Sequence, residues 1–359
     1  MNYYVADPEW GFWIIAYFYL GGIAAGSYFL AVLIDWFGSE EDQVLARIAY
    51  FIAFPLVLLC TICLTVDLER PERFWHMLFK SEIMKDALAQ GFPFSGSGWS
   101  LFWQSWSFKY WSPMSAGSWG LVVFGVCSFF SFLAVVWPDR WPGRWFRAKW
   151  PSRVLQVVGC VAGFFIASYT GALLSATNQP MWSDTTWLAP LFLASAASTS
   201  LAAMTLIAWW KSLGTVEARR RLEGAEPLAI GLELVVLAAF LASLGVWLAP
   251  VLLTVRGNIM IFGTLILGTL VPLLIHAMVG HRRRWGIPAA AICVLVGGLL
   301  LRYGAITTPA ELLARGPTVA DRFSPEAGRQ RGQPGADIGN HGPAVDVRPP
   351  SKVPLEEEP

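Results

Sequence analysis

Long apolar stretches that contain no acidic or basic residue recur along this chain, and eight stretches in all are long enough to cross a lipid bilayer. A helix needs about 20 residues to cross roughly 30 Å of hydrocarbon, where it must satisfy its own backbone hydrogen bonds. The eight runs are Gly11–Ile34, Ile48–Val66, Tyr110–Pro138, Val154–Ser183, Thr185–Trp210, Pro227–Val255 (interrupted only by Glu233), Gly257–His281 and Trp285–Leu301. The pattern therefore predicts an all-α integral membrane protein, a bundle of eight transmembrane helices.

The composition agrees with this prediction. Apolar residues make up 55% of the chain and charged residues 14%, whereas soluble domains carry about 25% charged residues. A large soluble helical protein is therefore disfavoured, and the bilayer is the solvent for most of the chain. Function must then be sought at the few polar positions.

Lysine and arginine are distributed unevenly among the connecting segments. Membrane proteins concentrate these residues in cytoplasmic loops. Three segments on one side of the predicted bundle hold Arg140, Arg144, Arg147, Lys149 and Arg153, then Lys211, Arg219, Arg220 and Arg221, and then Arg282, Arg283 and Arg284. We therefore expect these segments in the cytoplasm and both termini on the outer, periplasmic side. The long loop from 67 to 109 also carries basic residues on the outer side, but long loops obey the rule weakly.

The chain divides into a membrane domain and a polar tail. Residues 1–310 are assigned to the eight-helix domain, with an outer interfacial loop at 67–116. Residues 311–359 are rich in Pro, Gly, Arg and Asp and are expected to be disordered. Directly after the second run, Phe74, Trp75, Leu78 and Phe79 fall on one face of a short predicted helix. That helix either lies in the outer membrane interface or packs on the bundle.

The cysteines and histidines do not form a pattern that binds a metal cofactor. Cys60 and Cys63 share one apolar run and the other cysteines are scattered singly, so no cysteine set suits an iron–sulfur cluster. His276 and His281 lie on one predicted helix and cannot ligate a haem from two facing helices. We therefore expect neither a haem nor an iron–sulfur cluster in this chain.

Polar and aromatic residues gather at the predicted outer ends of several helices. A quinone headgroup needs apolar walls, donors to its carbonyl oxygens and a group that takes a proton on oxidation. The candidate catalytic residues are Asp67, Arg70 and Tyr169, and the candidate quinone-binding residues are Tyr17, Trp119, Arg302 and His76. The alternative is that Asp67, Arg70 and Arg302 are interfacial anchors or paired structural charges.

Two ionisable residues are predicted to lie deeper, toward the cytoplasm. Glu233 falls a few residues into the sixth run, and His276 lies near the end of the seventh. A charged group facing lipid is costly, so each should face the bundle interior, where a proton path is the default hypothesis. Glu233 is alternatively close enough to the helix end to reach the interface.

Six short segments, in order, resemble one known family. They are YFYLGGIAAG (Tyr17–Gly26), DLERPERFW (Asp67–Trp75), MSAGSWG (Met114–Gly120), YTGALL (Tyr169–Leu174), PMW (Pro180–Trp182) and GGLLLRY (Gly297–Tyr303). With these segments the chain resembles the quinol-interacting membrane subunits of the polysulfide reductase family, the NrfD-type proteins. The resemblance spans about residues 10–306.

The resemblance implies a multi-pass anchor in the inner (plasma) membrane that exchanges electrons with menaquinone or ubiquinone. It further implies a four-cluster, ferredoxin-like iron–sulfur partner and a molybdopterin-containing catalytic subunit, with membrane lipids but no nucleic acid as other partners. The positions matching the family's quinone site are Tyr17, Asp67, Arg70, Trp119 and Tyr169. Whether the chain itself counts as an enzyme depends on whether quinol oxidation or quinone reduction takes place on it.

Two other classes of protein stay open at this point. A proton-coupled secondary transporter is suggested by Glu233, His276 and the helix-interrupting prolines Pro55, Pro250 and Pro272. A transporter predicts polar residues at mid-membrane, whereas the candidate residues concentrate at one face. The other class is a structural membrane anchor without a working quinone site.

Overall fold

A computed structural model of the protein describes residues 10–109, 111–141, 143–146, 148–278 and 285–314. Within these ranges the chain is helical, and the β-structure is a single isolated bridge between Phe79 and Trp106. Eight helices in the described ranges are long and apolar enough to cross a membrane, which confirms the predicted number of spans. Residues 315–359 of the predicted tail and the basic segment Arg282–Arg284 lie outside the described residues.

The helices follow one another along the chain with short connections. They are α1 (Phe12–Phe37), α2 (Gln43–Asp67), α3 (Ser81–Ala89), α4 (Gly96–Ser105), α5 (Pro113–Val136), α6 (Gly143–Phe146), α7 (Lys149–Ser175), α8 (Leu188–Trp210), α9 (Val216–Ser243), α10 (Leu248–Leu253), α11 (Val255–Phe262), α12 (Val271–Met278) and α13 (Gly286–Ala314). A π-helical segment, Gly263–Leu270, joins α11 to α12, so that the three form the seventh span, Val255–Met278.

Successive spans run in opposite directions, which gives the bundle two ends. We call the end where α2 stops and α5 begins the loop end, because it carries the connection 68–112. We call the opposite end, where α5 stops and α7 begins, the basic end, because Arg140 and Arg144 lie there. The prediction that the loop end faces the periplasm concerns the membrane itself and stays a prediction.

The sixth predicted helix is wrong at both ends. It begins at Val216 rather than Pro227, where the Thr215 hydroxyl accepts a hydrogen bond from the Ala218 backbone N–H. Its first turns carry charges that can remain in water, so the helix extends beyond the apolar run that predicted it. It ends at Ser243, just before Gly245, whose φ of +50° favours glycine.

The eighth predicted helix is too short. The predicted run ends at Leu301 with a weaker apolar extension through Ile306, whereas the helix continues to Ala314. The predicted domain boundary at residue 310 therefore falls inside it. The charge of Arg302 does not end the helix because this side chain is 1% exposed and bonded to groups within the bundle. A charge satisfied in this way is compatible with a spanning helix.

Helix α1 occupies the centre of the bundle and contacts α2, α7, α8 and α13. Its glycines allow the closest of these approaches. A Cβ atom added to Gly26 would lie 2.5 Å from the carbonyl oxygen of Ala196 on α8, and one added to Gly22 would lie 2.8 Å from Nη2 of Arg302. These glycines therefore let the backbone of α1 approach the backbone of α8 and the Arg302 side chain of α13.

The short helix predicted after α2 is a 3₁₀ helix, Pro71–Met77, that ends before Leu78 and Phe79. Leu78 and Phe79 therefore do not share a helical face with Phe74, which is half exposed, so the predicted amphipathic face is wrong. Phe79 instead packs in an aromatic cluster with Phe102 and Trp106 of the α4 region. This cluster caps the loop end beside α5.

Candidate functional site

Two of the predicted site residues, Tyr17 and Tyr169, are both buried inside the bundle near the loop end. Tyr17 on α1 is 4% exposed and Tyr169 on α7 is 9% exposed. The two side chains are close enough to interact electrostatically, and Cys60 of α2 interacts with Tyr17 in the same way. The Cys60 thiol also lies 3.7 Å from the Tyr17 carbonyl oxygen. Three helices therefore converge on this pair of phenols.

The Tyr169 ring is held in one orientation. Its hydroxyl donates a 2.7 Å hydrogen bond to the backbone oxygen of Pro113 at the start of α5, and its ring stacks on Phe165. Gly117 leaves space for it, because a Cβ atom there would lie 2.5 Å from Cε1 and closer still to Cζ and the hydroxyl oxygen. The donor of this hydroxyl is therefore occupied, while its oxygen can still accept a hydrogen bond.

Asp67 lies at the rim of this site rather than within it. It is the last residue of α2 and is exposed. Its spacing from Cys60 is about two helical turns, which places both on one face of α2 and Asp67 about 10 Å nearer the loop end. Its carboxylate is exposed at the loop end, on the same helix as Cys60.

Arg70 and His76 are on the surface. Both line a shallow open pocket beside the 3₁₀ helix, and the full lining is Leu68, Glu69, Arg70, Arg73, His76 and Met77. Met77 connects this pocket to α5, since the Ser118 hydroxyl lies 3.6 Å from its sulfur. The structure thus separates Arg70 and His76 from the buried tyrosines and places them on the exposed surface of the loop end.

Trp119 belongs to the aromatic cap. Its indole N–H donates to the Ser107 carbonyl at 3.1 Å, and its ring lies 4.9 Å from that of Trp106. The structure therefore gives this half-buried side chain a role in holding the loop 68–112 against α5. It is near the candidate site but is not shown facing the tyrosine pair.

Arg302 lies in a different part of the bundle from its predicted position. The sequence placed it at the outer end of the last helix, but it is near the middle of α13. Its Nη1 donates to the Ser195 hydroxyl at 2.8 Å and to the Gly298 carbonyl at 3.0 Å, and its Nε donates to the Phe18 carbonyl at 3.3 Å. These contacts join α13 to α1 and α8, and the guanidinium lies over the rings of Tyr19 and Phe192. Its described hydrogen bonds go to these elements and not to the Tyr17 or Tyr169 side chains.

Glu233 is the acidic neighbour of Arg302. It is 1% exposed, accepts a hydrogen bond from the Ser198 hydroxyl, and interacts with both Ser195 and Arg302. The prediction that Glu233 lies only a few residues into its helix is wrong, because α9 begins at Val216. Since the residue lies deep within α9, it cannot reach the interface, and the prediction that it faces the bundle interior is confirmed.

His276 pairs with a residue that sequence reasoning missed. Its Nε2 lies 3.6 Å from a carboxylate oxygen of Glu226, which is fully buried on α9. Glu226 precedes the apolar run that predicts the sixth helix, so that run gives no reason to place it inside the bundle. A helical projection extended through Pro227 would have placed it on the same face as Glu233.

A second polar cluster near the basic end was also missed. Tyr50 and Gln156 both donate to one carboxylate oxygen of Asp35, at 2.9 and 2.8 Å, and Trp36 donates to Gln156 at 2.7 Å. A pocket of about 400 Å³ that also contains Arg47 opens beside them. Asp35 follows its apolar run directly, so the sequence alone gave no reason to separate it from an ordinary helix-end charge.

Asp184 closes the connection between α7 and α8. Its carboxylate accepts a hydrogen bond from the Met181 backbone N–H at 3.1 Å, which supports the left-handed conformation of Met181 at a φ of 72°. Partial burial raises the pKa of Asp184 above its ordinary value, and the hydrogen bonds from Met181 and Trp247 oppose that shift. The residue therefore has a structural role in this turn.

Comparison with known proteins agrees with this architecture. The family model described as "Polysulphide reductase, NrfD" matches residues 5–310. The chain therefore belongs to the NrfD polysulphide reductase family and is a membrane protein of that type.

The chain is also similar to a curated protein, one of the subunits of the selenate reductase of Mesobacillus selenatarsenatis. The two are 36% identical over 78 residues, a segment that covers 22% of this chain and 18% of that protein. The match therefore spans less than a fifth of the relative's length. A match this short does not show that this chain shares the relative's substrate or partners.

Proposed function

We propose that this protein is the membrane subunit of a respiratory oxidoreductase complex and exchanges electrons between the quinone pool and an iron–sulfur partner docked at the loop end. The observation that carries the proposal is the buried Tyr17–Tyr169 pair beneath Asp67. Membership of the NrfD polysulphide reductase family supports it. Menaquinone and ubiquinone both fit the chemistry that follows.

Hydrogen bonding at Tyr169 suits the reduced form of a quinone. The hydroxyl proton of Tyr169 is held by the Pro113 carbonyl, so the tyrosine oxygen offers a lone pair. A hydroquinone O–H can donate to it, whereas the carbonyl of the oxidised quinone would require Tyr169 to release Pro113. The geometry therefore favours binding of quinol over quinone at this position.

Proton release is assigned to Asp67. Oxidation of one quinol to quinone releases two electrons and two protons, and the protons need an acceptor that communicates with water. Asp67 is exposed and lies on the Cys60 face of α2, above the buried phenols. A carboxylate at this position can take a proton from the quinol side and lose it to the aqueous phase.

Electrons are assigned to a partner at the loop end because this is the end nearest the tyrosine pair. The exposed surface there combines Arg70 and His76 with large aromatic side chains, among which Phe94 is 97% exposed and Trp103 58% exposed. Aromatic and arginine side chains are enriched in protein interfaces. A four-cluster ferredoxin-like partner over this surface would receive the electrons, and a molybdopterin-containing catalytic protein would complete the complex.

The test compares three variants of the intact complex. Tyr169→Phe removes the lone pair and is expected to raise the KM for a short-chain quinol about tenfold, the equivalent of one hydrogen bond of about 1.4 kcal/mol. Asp67→Asn should lower kcat, because it removes the proton acceptor. Tyr28→Phe is the matched control, since this α1 hydroxyl also donates to a backbone carbonyl, that of Leu155, far from the site.

The measurement is quinol-driven reduction of the partner's iron–sulfur clusters, followed by electron paramagnetic resonance. Co-purification of the partner shows that each variant complex is assembled. If Tyr169→Phe and Asp67→Asn reduce the clusters at the rate and quinol dependence of Tyr28→Phe, the site is wrong. A complex that binds no quinone-site inhibitor would instead support a purely structural anchor.

A further inference from the structure

Two carboxylates are buried on one face of α9. Glu226 is 0% exposed and Glu233 is 1% exposed. They are spaced two helical turns apart, about 10 Å along the axis. A carboxylate buried among membrane helices is costly to retain, and such residues mark ion or proton pathways in membrane proteins. Neither carboxylate belongs to the quinone site proposed above.

Glu233 is part of a polar cluster on the loop-end side. The Ser198 hydroxyl donates to Glu233, and Ser195 links the carboxylate to Arg302, whose Nη1 is 2.8 Å from the Ser195 oxygen. Arg302 therefore supplies a positive charge close to Glu233. That charge makes the ionised form of the carboxylate tolerable inside the bundle.

Glu226 is part of a second polar cluster, on the basic-end side. Glu226 faces His276 at 3.6 Å, and within the described part of the chain neither Glu226 oxygen has a hydrogen-bond partner. The Thr205 hydroxyl is buried and likewise unpaired among the described residues. Because α8 and α9 are antiparallel and Ser198 contacts Glu233, two turns along each helix place Thr205 level with Glu226. Buried unpaired polar atoms of this kind are commonly hydrated.

The second cluster is connected to the surface at the basic end. A pocket of about 380 Å³ opens between α8 and α9 and has Thr205 in its wall, together with Arg219 and Arg220. Water entering this pocket reaches the level of Glu226. The His276 side chain is 13% exposed, which provides a second contact with the basic-end surface.

An apolar layer lies between the two clusters. Ala202, Ile230, Ala291 and Val294 form a compact apolar cluster of their own, each no more than 1% exposed. Ala202 lies between Ser198 and Thr205 on α8, and Ile230 lies between the two carboxylates on α9. The two carboxylates are about two helical turns apart, and the apolar layer interrupts the polar route between them.

We propose that these groups form a proton-transfer route between α8, α9, α12 and α13. The route runs from the Arg302–Glu233 cluster to the Glu226–His276 cluster, and the apolar layer is its barrier. Protonated Glu233 releases its proton to water when the layer hydrates. The Glu226 carboxylate accepts that proton and passes it to His276 and the basic-end pocket. Only protons move in this step, and no electron transfer is required.

The seventh span supplies a backbone that can move beside the layer. Its π-helical segment packs against α13, where a Cβ atom on Gly297 would overlap the Gly268 backbone. Gly297 lies one turn from Val294. Because π-helical backbone often occurs at functional sites, this contact is the place where a small shift of the seventh span would loosen the layer.

The test hydrates the barrier without using quinol. The complex is reconstituted in liposomes with a pH-sensitive dye inside, and a membrane potential is imposed with potassium and valinomycin. Val294→Thr combined with Ile230→Thr keeps the β-branched side chains but adds hydroxyls to the layer. We expect proton flux to rise about tenfold or more, which corresponds to a barrier lowered by about 1.4 kcal/mol. Val294→Thr alone should show a smaller rise.

Two controls make the result specific. Val296→Thr together with Val235→Thr adds the same hydroxyls to lipid-facing positions of α13 and α9, which are 40% and 67% exposed, and should leave the flux at the wild-type level. Adding Glu226→Gln or Glu233→Gln to the layer variant should abolish the increase. The proposal is overturned if the layer variant conducts no more than wild type, or if its flux is unchanged by both glutamine substitutions.

These outcomes are independent of the quinone site. The assay contains no quinol, so loss of Tyr169 function would not alter the flux. Conversely, if the proton flux does not rise, quinol can still reduce the partner's clusters in the separate assay described above. The two proposals can therefore fail separately.

Discussion

Replacement of Gly117 by alanine probes the geometry of the tyrosine pair. The added methyl group would lie 2.5 Å from Cε1 of Tyr169 and closer to the end of the ring, far inside van der Waals contact. Either the ring stays and strain accumulates, or it swings away and its 2.7 Å hydrogen bond to Pro113 breaks. In the first case the strain lowers stability, and in the second the tyrosine oxygen also leaves its present position.

The two cases differ in their energetic cost. Overpacking of a filled site costs about 1–3 kcal/mol, and the lost hydrogen bond contributes about 1 kcal/mol. We therefore expect Gly117→Ala to lower the free energy of unfolding by about 1–4 kcal/mol. Gly125→Ala, on the same helix, is the control, because its methyl group would meet Val57 at an ordinary contact distance of 3.5 Å.

The assay is unfolding of the purified chain in mixed detergent micelles, together with quinol-driven cluster reduction in the complex. A double-mutant cycle with Tyr169→Leu isolates the contact, since leucine lacks the atoms that meet the new methyl group. In that background Gly117→Ala should cost almost nothing. The reasoning is refuted if Gly117→Ala matches Gly125→Ala in both stability and quinol oxidation.

Three further predictions concern the packing of the bundle. Gly26→Ala should lower unfolding stability by about 1–3 kcal/mol because its methyl group meets a backbone oxygen of α8, whereas Gly21→Ala, with a nearest neighbour at 3.7 Å, should be near neutral in the same detergent titration. Arg302→Met should destabilise the chain by about 3–5 kcal/mol, because it leaves the buried Glu233 carboxylate without its counter-charge. Adding Glu233→Gln should restore most of that stability. Equal stability of the single and double variants would contradict the pairing. Trp182→Phe should cost about 1–3 kcal/mol, because a 2.6 Å indole hydrogen bond to a carbonyl of α13 is lost, and a variant with wild-type unfolding would show that the bond is unimportant.

The number and order of the spans could be predicted from the sequence because a bilayer imposes one requirement on every spanning segment, namely length and apolarity. The ends of the spans could not. Val216 starts α9 inside a charged stretch, and α13 continues past Arg302, because helices may extend into water or contain a charge that the bundle satisfies. The rule that a charge ends an apolar run therefore failed at these two helices.

The candidate site was predicted in part. Tyr17 and Tyr169 could be placed near one another because both lie at the same end of neighbouring helices. The partners of Arg302 could not be anticipated, since its position depends on how α13 packs against α8. Glu226 was missed because it precedes the apolar run that begins at Pro227. Asp35 was missed because its two hydrogen-bond partners, Tyr50 and Gln156, come from different parts of the chain.

The most direct measurement is photolabelling of the intact complex with an azido-quinone, followed by mass spectrometry of the labelled peptides. We predict labels on α1 near Tyr17 and on α7 near Tyr169, competed away by excess quinol and lost in Gly117→Ala but not in Gly125→Ala. Labels confined to the Asp35 cluster at the basic end, or to α8 and α9, would contradict a quinone site at the tyrosine pair.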